Sequence, residues 1–147
     1  MLTICEEIPD VEDYIEIRVA AGLSRKTVEA ASKGLPNSLF SIVVYDGEQR
    51  VGLGRVIGDG GCFFEITDIA VLPSHHKQGL GARIMLTLTQ WISENAPDSA
   101  YVSLMAHHGT PDFYARYGFK YTERPRSCGM YTYAQELRDF KKPDDLS

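Results

Sequence analysis

The spacing of apolar positions predicts a short strand followed by two helices at the start of the chain. Residues 2–8 alternate weakly between apolar and polar side chains, as a strand does. Steps of three and four residues, typical of a helix, then separate Val11, Tyr14, Ile15, Arg18 and Val19. Asp10 is the expected cap of this helix, and Gly22 is its expected end. Ser24 is the expected cap of a second helix over residues 25–33.

Three β-prone runs follow the two helices. Residues 39–45, 49–57 and 62–72 are rich in β-branched, aromatic and other apolar side chains. Asp46-Gly47, a dipeptide typical of hairpin turns, separates the first two runs, and the glycine-rich residues 58–61 separate the second from the third. Consecutive strands joined by such short turns predict an antiparallel meander.

The apolar pattern changes to helical spacing after residue 79. Steps of three and four residues separate Leu80, Ile84, Leu88, Trp91 and Ile92. This spacing predicts a long amphipathic helix over residues 79–92, and the apolar residues 100–106 predict another strand. A strand, a helix and a second strand in this order favour a parallel crossover.

The last third of the chain predicts a short helix and two more strands. Thr110-Pro111-Asp112 has the residue types of a helix start, and Gly118 is the expected left-handed residue at its end. Residues 119–123 and 130–137 are predicted as strands, and residues 141–147 as a polar tail. The order of elements predicts one α+β domain over residues 1–140, with a mixed α/β sheet.

Composition narrows the class of protein. The 147 residues are 44% hydrophobic and 24% charged, as is ordinary for a soluble globular domain. No apolar run approaches the roughly 20 residues that span a bilayer, and the acidic N-terminus lacks a signal-peptide layout, so a cytoplasmic protein without a membrane partner is expected. A net charge of −5 argues against nucleic acid as a partner. The three cysteines are expected to be reduced thiols and not nucleophiles.

The segment from Ile66 to Leu86, ITDIAVLPSHHKQGLGARIML, leads from a strand into a helix through glycines. The first amides of a helix have no partner inside it and attract anions, so phosphate suits this joint. Lys77 and Arg83 add positive charge there. The alternative is that Gly79 and Gly81 only let the helix pack closely on the sheet.

The same segment resembles the acetyl-CoA signature of the GNAT N-acetyltransferase superfamily. VLPSHHKQGLGARIM matches the pattern [Q/R]-x-x-G-x-[G/A] at Gly79 and Gly81 and departs from it at His76, where the pattern expects Gln or Arg. PDFYARYGFKYT resembles the second signature of the family, a short helix followed by a strand. The resemblance covers roughly residues 1–135, and the run from SLF to DIAV is similar to small bacterial members of undefined substrate.

This resemblance implies the GNAT fold, a central mixed and mostly antiparallel sheet flanked by helices. It implies an acetyl-CoA-dependent N-acetyltransferase, with acetyl-CoA as co-substrate and direct transfer to a primary amine of a small molecule, peptide or protein. It also implies that the backbone of Ile69, Ala70 and Val71 pairs with the pantetheine arm. The pyrophosphate is then held by His76, Lys77, Gln78, Gly79, Leu80, Gly81 and Ala82, mainly through the amides of residues 78–82.

Two acids of the third β-prone run are candidate bases. A period of two places Glu65, Thr67 and Ile69 on one face and Ile66, Asp68 and Ala70 on the other, unless a bulge exchanges the facings. Glu65 matches the general-base glutamate of part of the family, and its alternative is a solvent-facing side chain. Asp68 is the second candidate, and its alternative is to cap or orient the helix start.

Tyr114 is the candidate acid. It matches the family tyrosine that protonates the thiolate of CoA, and it is rotated about 100° from Phe113 on the short helix. Its alternative is simple packing on the sheet. His107 and His108 are candidate proton relays, and adjacent histidines are poor spacing for a metal site, so no metal is expected.

Two other functions stay open from the sequence. The first is a GNAT-fold regulatory module that binds acyl-CoA without turnover, and the second is an α+β interaction domain without a cofactor. The amine acceptor is not identified by the sequence. A homodimer is a further expectation, because dimers are frequent in the family.

Overall fold

The structure, a computed structural model, describes residues 1–107 and 111–141. Its described strands form one five-stranded sheet in the order β1-β2-β3-β4-β5. The strands are β1 (Leu2–Glu6), β2 (Phe40–Asp46), β3 (Gln49–Gly58), β4 (Phe63–Val71) and β5 (Tyr101–Ser103). The helices are α1 (Val11–Ala20), α2 (Val28–Gly34), α3 (Leu80–Asn95), α4 (Pro111–Ala115) and α5 (Ala134–Asp139). Short 3₁₀ turns follow α2 at Leu35–Asn37 and β4 at Pro73–His75.

The sheet is mixed and mostly antiparallel. β1 to β4 are antiparallel neighbours, whereas β5 runs parallel to β4. The connection from β4 to β5 runs through α3, as parallel strands require a crossover. The predicted meander, the crossover helix and the α+β class are therefore confirmed.

Apolar side chains cover both faces of the sheet. On one face, α3 buries Leu80, Ile84, Met85, Leu88 and Ile92 against the sheet. On the other face, α1 and the segment around α2 bury Tyr14, Ile15, Ile17, Ala31 and Leu35. Each fully buried aliphatic side chain stabilises the fold by about 1.5–3 kcal/mol, so the two layers hold the central strands from both sides.

Helix starts in the first part of the chain differ from the sequence prediction. Asp10 precedes α1 but makes no capping hydrogen bond with its side chain. Thr27 caps α2, because its Oγ1 accepts a hydrogen bond from the Ala30 amide at 3.1 Å. The predicted cap Ser24 is wrong: its carbonyl and hydroxyl oxygens accept hydrogen bonds from Arg18 at 3.0 and 3.1 Å.

The two strands predicted at the end of the chain are wrong. Residues 119–123 carry no strand, and the second predicted segment ends in α5. Ala134–Asp139 has the sequence AQELRD, rich in good helix formers. The side chain of Glu136 accepts a hydrogen bond from the Tyr133 amide and so supports the helix start. Thr110 and residues 142–147 lie outside the described residues.

A bulge in β4 changes the direction of its side chains. Arg55 pairs with Thr67 and Leu53 pairs with Ala70, so β4 has one residue more than β3 over this interval. Asp68 takes the extra place with a left-handed φ of 60°.

The bulge exchanges the facings along the strand. Ile66 and Ile69 face α3, whereas Asp68 and Ala70 face α1. The strict two-residue grouping of Ile66 with Asp68 is therefore wrong, and the exchange of facings is confirmed.

β4 and β5 separate soon after they begin. Their pairing covers only Phe63–Glu65 against Tyr101–Ser103. Beyond Glu65, β4 keeps β3 on one side, and no described strand pairs with its other side. The second half of β4 is therefore an open edge inside the fold. Across residues 1–107 and 111–141, no helix is both long and apolar enough to cross a membrane.

Candidate active site

A cleft of about 430 Å³ lies between α1, the centre of the sheet and the chain around α4. We call it the cleft. It contains all three predicted catalytic side chains, together with a buried group that the sequence prediction missed. The six lining side chains that matter for chemistry are Tyr14, Arg18, Arg55, Glu65, Asp68 and Tyr114.

Glu65 is a free carboxylate in this cleft. It stands opposite Ile57 of β3 and Ser103 of β5, at the last paired position before β4 and β5 separate. Its side chain is partly buried, and no described residue forms a hydrogen bond or an ion pair with it. A partly buried and unpaired carboxylate is suited to accept a proton from a ligand.

Tyr114 lines the same cleft from α4. Its ring contacts the ring of Phe113, with centroids 5.1 Å apart and an edge-on arrangement. Burial raises the pKa of the Tyr114 phenol, so the hydroxyl keeps its proton at neutral pH. No described side chain or backbone group accepts a hydrogen bond from that hydroxyl. It is therefore available to donate to a ligand.

Asp68 is an internal counter-ion. Its Oδ2 accepts hydrogen bonds from the Tyr14 hydroxyl at 2.9 Å and from Arg55 Nε at 2.7 Å, and its Oδ1 pairs with Arg18 Nη1. The side chain is only 3% exposed. Because both oxygens are occupied and none of their partners lies in α3, the predicted capping of the helix start is wrong. Three donors, from Tyr14, Arg55 and Arg18, already bond this buried carboxylate, so we assign Asp68 a positioning role.

Tyr14 completes this buried group. Burial, followed by the adjacent Asp68 carboxylate, raises the pKa of Tyr14 to about 12. The phenol therefore stays protonated and keeps donating to Asp68. The guanidinium carbons of Arg18 and Arg55 lie 5.9 and 5.6 Å from the centre of its ring. Such contacts stabilise cations whose solvent has been removed.

Sequence reasoning missed the two arginines of this group, although one signal was present. Arg18 lies on the apolar side of α1, four residues after Tyr14, where a charged side chain requires a buried partner. Arg55 interrupts the apolar run of β3 in the same manner. The position of these two arginines in otherwise apolar patterns was the signal that they pair with a buried carboxylate, Asp68.

The segment from His76 to Ala82, which we call the entry segment, begins α3 with free amides. Gly79 is the N-cap residue, with a φ of 75° and no side-chain capping bond. The first helical hydrogen bond runs from the Arg83 amide to the Gly79 carbonyl at 3.1 Å. No described acceptor bonds the amides of residues 78–82. These donors, with the positive end of the helix dipole, suit a phosphate group.

The two glycines of the entry segment are not required for close packing of α3 on the sheet. A Cβ on Gly79 would meet no atom within 4 Å, and one on Gly81 would lie 3.6 Å from the Phe113 ring, an ordinary contact. Gly79 is required by its positive φ. The packing alternative therefore explains neither glycine, and both leave the backbone open to a ligand.

His76 is exposed and bonds to the end of β4. Its Nε2 lies 2.8 Å from the Val71 carbonyl oxygen, so Nε2 carries the hydrogen and donates it. Lys77 follows with a φ of 64° and an exposed side chain. The entry segment is thus fixed to the open edge of β4, formed by residues 66–71 that include Ile69, Ala70 and Val71.

The open edge, the entry segment and the cleft adjoin one another. Gly81 contacts Phe113, whose ring contacts Tyr114 in the cleft. Glu65 lies where the open edge begins. An extended ligand with a phosphate at one end therefore fits along β4, with its other end between Glu65 and Tyr114. These residues fit an acyl-CoA.

The sequence predicts His107 and His108 as proton relays and no metal site. His107 lines the cleft, and His108 lies outside the described residues. Over the described ranges, no three His, Cys, Asp or Glu side chains are arranged to hold a metal ion.

A larger cavity of about 660 Å³ lies beyond β5, lined by Ile92, Val102 and Tyr117 among others. Neither Glu65 nor Tyr114 lines that cavity, so we assign the site to the cleft.

Comparisons with known proteins agree on one family. The family model described as "Acetyltransferase (GNAT) domain" matches residues 37–121, which include the open edge, the entry segment and α4. An "uncharacterized N-acetyltransferase" of Bacillus subtilis is 30% identical over 120 residues, covering 80% of this chain and 83% of that protein.

Solved structures show the same relationship. A meticillin-resistant Staphylococcus aureus protein, described as a "probable acetyltransferase" of unknown function, is 45% identical with a TM-score of 0.84. The match covers 90% of this chain and 99% of that one. A GNAT family acetyltransferase from Streptococcus pneumoniae is 27% identical with a TM-score of 0.73, covering 92% of this chain and 100% of that one. The chain therefore belongs to the GNAT acetyltransferase family and has its fold.

Proposed function

We propose that this protein is an N-acetyltransferase that moves the acetyl group of acetyl-CoA to a primary amine by direct attack in a ternary complex. One observation carries the proposal. A single cleft holds an unpaired carboxylate, Glu65, and an unpaired phenol, Tyr114, where the open edge of β4 begins, and the entry segment is bonded to the other end of that edge. Acid and base then stand beside the position expected for a thioester.

The entry segment and the open edge would hold the co-substrate. The amides of residues 78–82 would bind the pyrophosphate, with charge support from Lys77. The backbone of Ile69 and Val71 would pair with the amide groups of the pantetheine arm, as an added strand pairs with a sheet edge. Bound acetyl-CoA supplies an activated acetyl group, whose C–S bond is exchanged for a C–N bond to the amine.

Glu65 is the proposed base. An amine is protonated at neutral pH and attacks only after it loses a proton. A carboxylate without a partner and with part of its surface in the cleft accepts that proton directly or through one water. Asp68 supports the cleft from behind, because its two arginine contacts fix α1 and β3 beside β4.

Tyr114 is the proposed acid. The thiolate that leaves needs a proton, and the Tyr114 phenol, whose raised pKa keeps it protonated at neutral pH, gives one and becomes a phenolate. An ammonium loses two protons on becoming an amide: Glu65 takes the first, the Tyr114 phenolate left by protonation of the thiolate takes the second, and Glu65 then releases its proton to solvent.

Two measurements test this function. Calorimetry with acetyl-CoA should show one site per chain, and a thiol-release assay over amino acids, peptides, aminoglycosides and polyamines should show turnover with at least one amine class. Glu65→Gln should lower turnover about 100-fold or more, with unchanged acetyl-CoA binding. Binding without thiol release from any amine would favour the regulatory module instead. A cytoplasmic location and a homodimer stay predictions from the sequence.

A further inference from the structure

The cleft carries more positive than negative charge, in contrast to the whole protein. Its cations are Arg18, Lys26 and Arg55, and its carboxylates are Glu65 and Asp68. The chain as a whole has a net charge of −5. The tyrosines of the lining, Tyr14 and Tyr114 among them, add no charge. A positive cleft in an acidic protein is a local feature that suits a particular ligand.

Asp68 does not neutralise both buried arginines. It is one carboxylate between two guanidinium groups, whose side chains are only 8% and 11% exposed. Arg18 donates from its other two nitrogens, Nε and Nη2, to the carbonyl and hydroxyl of Ser24. Arg55 donates from Nε to Asp68 and from Nη1 to Ser38, and no described acceptor bonds its Nη2. Arg55 therefore presents an unused donor and an uncompensated charge.

Lys26 adds a second uncompensated charge at the cleft. Its side chain is partly buried, and no described carboxylate pairs with it. Lys33, which lies outside the cleft on α2, is by contrast exposed and pairs with Glu29 at 3.1 Å. Glu29 of α2 thus pairs with Lys33 at the surface, and the charge of Lys26 faces the cleft without a paired carboxylate.

Arg55 and Glu65 share one face of the sheet. Arg55 pairs with Thr67, and Ile57 pairs with Glu65, so the four side chains point to the same side. Two residues along a strand and one step between strands place the Cα atoms of Arg55 and Glu65 about 8 Å apart. A small ligand therefore reaches both side chains at once.

We propose that the acceptor is a small amine that also carries an anionic group, a carboxylate or a phosphate. This inference rests on the proposed function and names the substrate class of the same site. The ammonium of the acceptor lies toward Glu65 before deprotonation, and its anion lies toward Arg55 Nη2 and Lys26. The acceptor then neutralises the charge that Asp68 leaves. A polycationic amine adds positive charge to an already positive cleft and is rejected.

Matched pairs of amines test the proposal. L-Phenylalanine is compared with phenylalaninamide and phenethylamine for a carboxylate, O-phosphoethanolamine is compared with ethanolamine for a phosphate, and spermidine is the polycation. Each is titrated by calorimetry into the protein saturated with CoA, which measures acceptor binding whether or not turnover occurs. We expect the anionic member of at least one pair to bind at least 10-fold more tightly than its neutral partner. The pair that shows this preference distinguishes a carboxylate from a phosphate.

Variants of Lys26 locate the effect. Lys26→Ala should weaken binding of the preferred anionic amine about 2- to 5-fold, and Lys26→Glu should weaken it further, whereas neutral amines should be unaffected. Lys33→Ala is the control and should behave as the unchanged protein. Equal or tighter binding of neutral amines or of spermidine overturns the proposal. So does the absence of binding by both anionic amines at a concentration of about 10 mM. Failure of the enzyme function itself is read separately, as absence of thiol release from every amine class.

Discussion

At the scale of single residues, the Tyr114 hydroxyl is the group whose removal separates chemistry from binding. Tyr114→Phe removes one oxygen atom and keeps the ring that contacts Phe113. The leaving thiolate then has no acid, so turnover should fall about 100-fold or more. Acetyl-CoA affinity should stay nearly unchanged, since the expected binding groups lie in the entry segment and on β4. Steady-state kinetics and calorimetry give the two numbers.

Tyr117 offers a matched control for this experiment. It is a partly buried tyrosine of the same region, with its ring centroid 5.4 Å from that of Phe113, but it does not line the cleft. Tyr117→Phe should leave turnover near that of the unchanged protein. Equal losses in both variants would indicate a general effect of packing around Phe113 and would remove Tyr114 from the mechanism.

His76 stands where the family pattern expects Gln or Arg, and its contact predicts how substitutions there change acetyl-CoA affinity. Its Nε2 donates to the Val71 carbonyl and ties the entry segment to the open edge of β4. His76→Ala removes one hydrogen bond, so acetyl-CoA affinity measured by calorimetry should fall about 2- to 10-fold.

The matched variant is His76→Gln, whose side-chain amide also donates and restores the residue type of the pattern. It should bind acetyl-CoA about as tightly as the unchanged protein. An alanine variant that binds normally would show that the contact has no part in holding the entry segment.

At the scale of elements, the packing of α3 on the sheet depends on a glycine in β3. A Cβ on Gly54 would lie 2.6 Å from Ile84 Cγ2 and 3.0 Å from Leu88 Cδ1, closer than atoms pack. Gly54→Ala should therefore overfill this contact and lower the free energy of unfolding by about 1–3 kcal/mol. Urea denaturation followed by circular dichroism measures the change.

Gly34 is the control for this substitution. It ends α2 with helical dihedral angles, and a Cβ there would meet no atom within 4 Å. Gly34→Ala should be neutral or stabilise the protein by about 0.4–1 kcal/mol, because alanine restricts the unfolded chain. If both alanine variants unfold at the same urea concentration, α3 does not need the space that Gly54 leaves.

The same elements show what a sequence pattern predicts and where it stops. The central strands and α3 follow from alternation, turn dipeptides and helical spacing, because each buries a regular apolar face. The final strands were wrong because a strand needs a partner as well as β-prone residues. In the described part of the chain, β5 pairs only with β4, and residues 119–123 form no ladder with its other side.

The candidate site was predicted in part for a similar reason. Glu65, Tyr114 and the entry segment came from local patterns and from family resemblance, and the structure places Glu65 and Tyr114 in one cleft, with Gly81 of the entry segment beside Phe113. The group of Arg18, Arg55 and Asp68 joins residues far apart in the sequence. It also depends on the bulge, whose left-handed aspartate has no distinctive sequence signature.

At the scale of the whole molecule, binding of the co-substrate should raise thermal stability. A ligand at 100 times its dissociation constant stabilises the folded state by about 2.7 kcal/mol. For a chain of 147 residues, this corresponds to a rise in Tm of roughly 5–10 °C. Differential scanning calorimetry with and without acetyl-CoA measures the shift.

The two halves of the proposed binding surface predict a graded result. Acetyl-pantetheine pairs with the open edge but lacks the pyrophosphate for the entry segment, so at the same concentration it should raise the Tm less than acetyl-CoA does. An equal rise with both compounds would mean that the free amides of residues 78–82 do not bind phosphate. No rise with either compound would contradict acetyl-CoA binding altogether.

The open edge of β4 has a further consequence for the protein in the cell. Unpaired strand edges are templates on which other chains add strands, and natural proteins protect them against aggregation. In the described structure, one side of the second half of β4 is unpaired, so the proposed binding surface is also the surface most prone to self-association. Under the proposed function, bound acetyl-CoA covers this edge, so we expect it to reduce self-association of the protein.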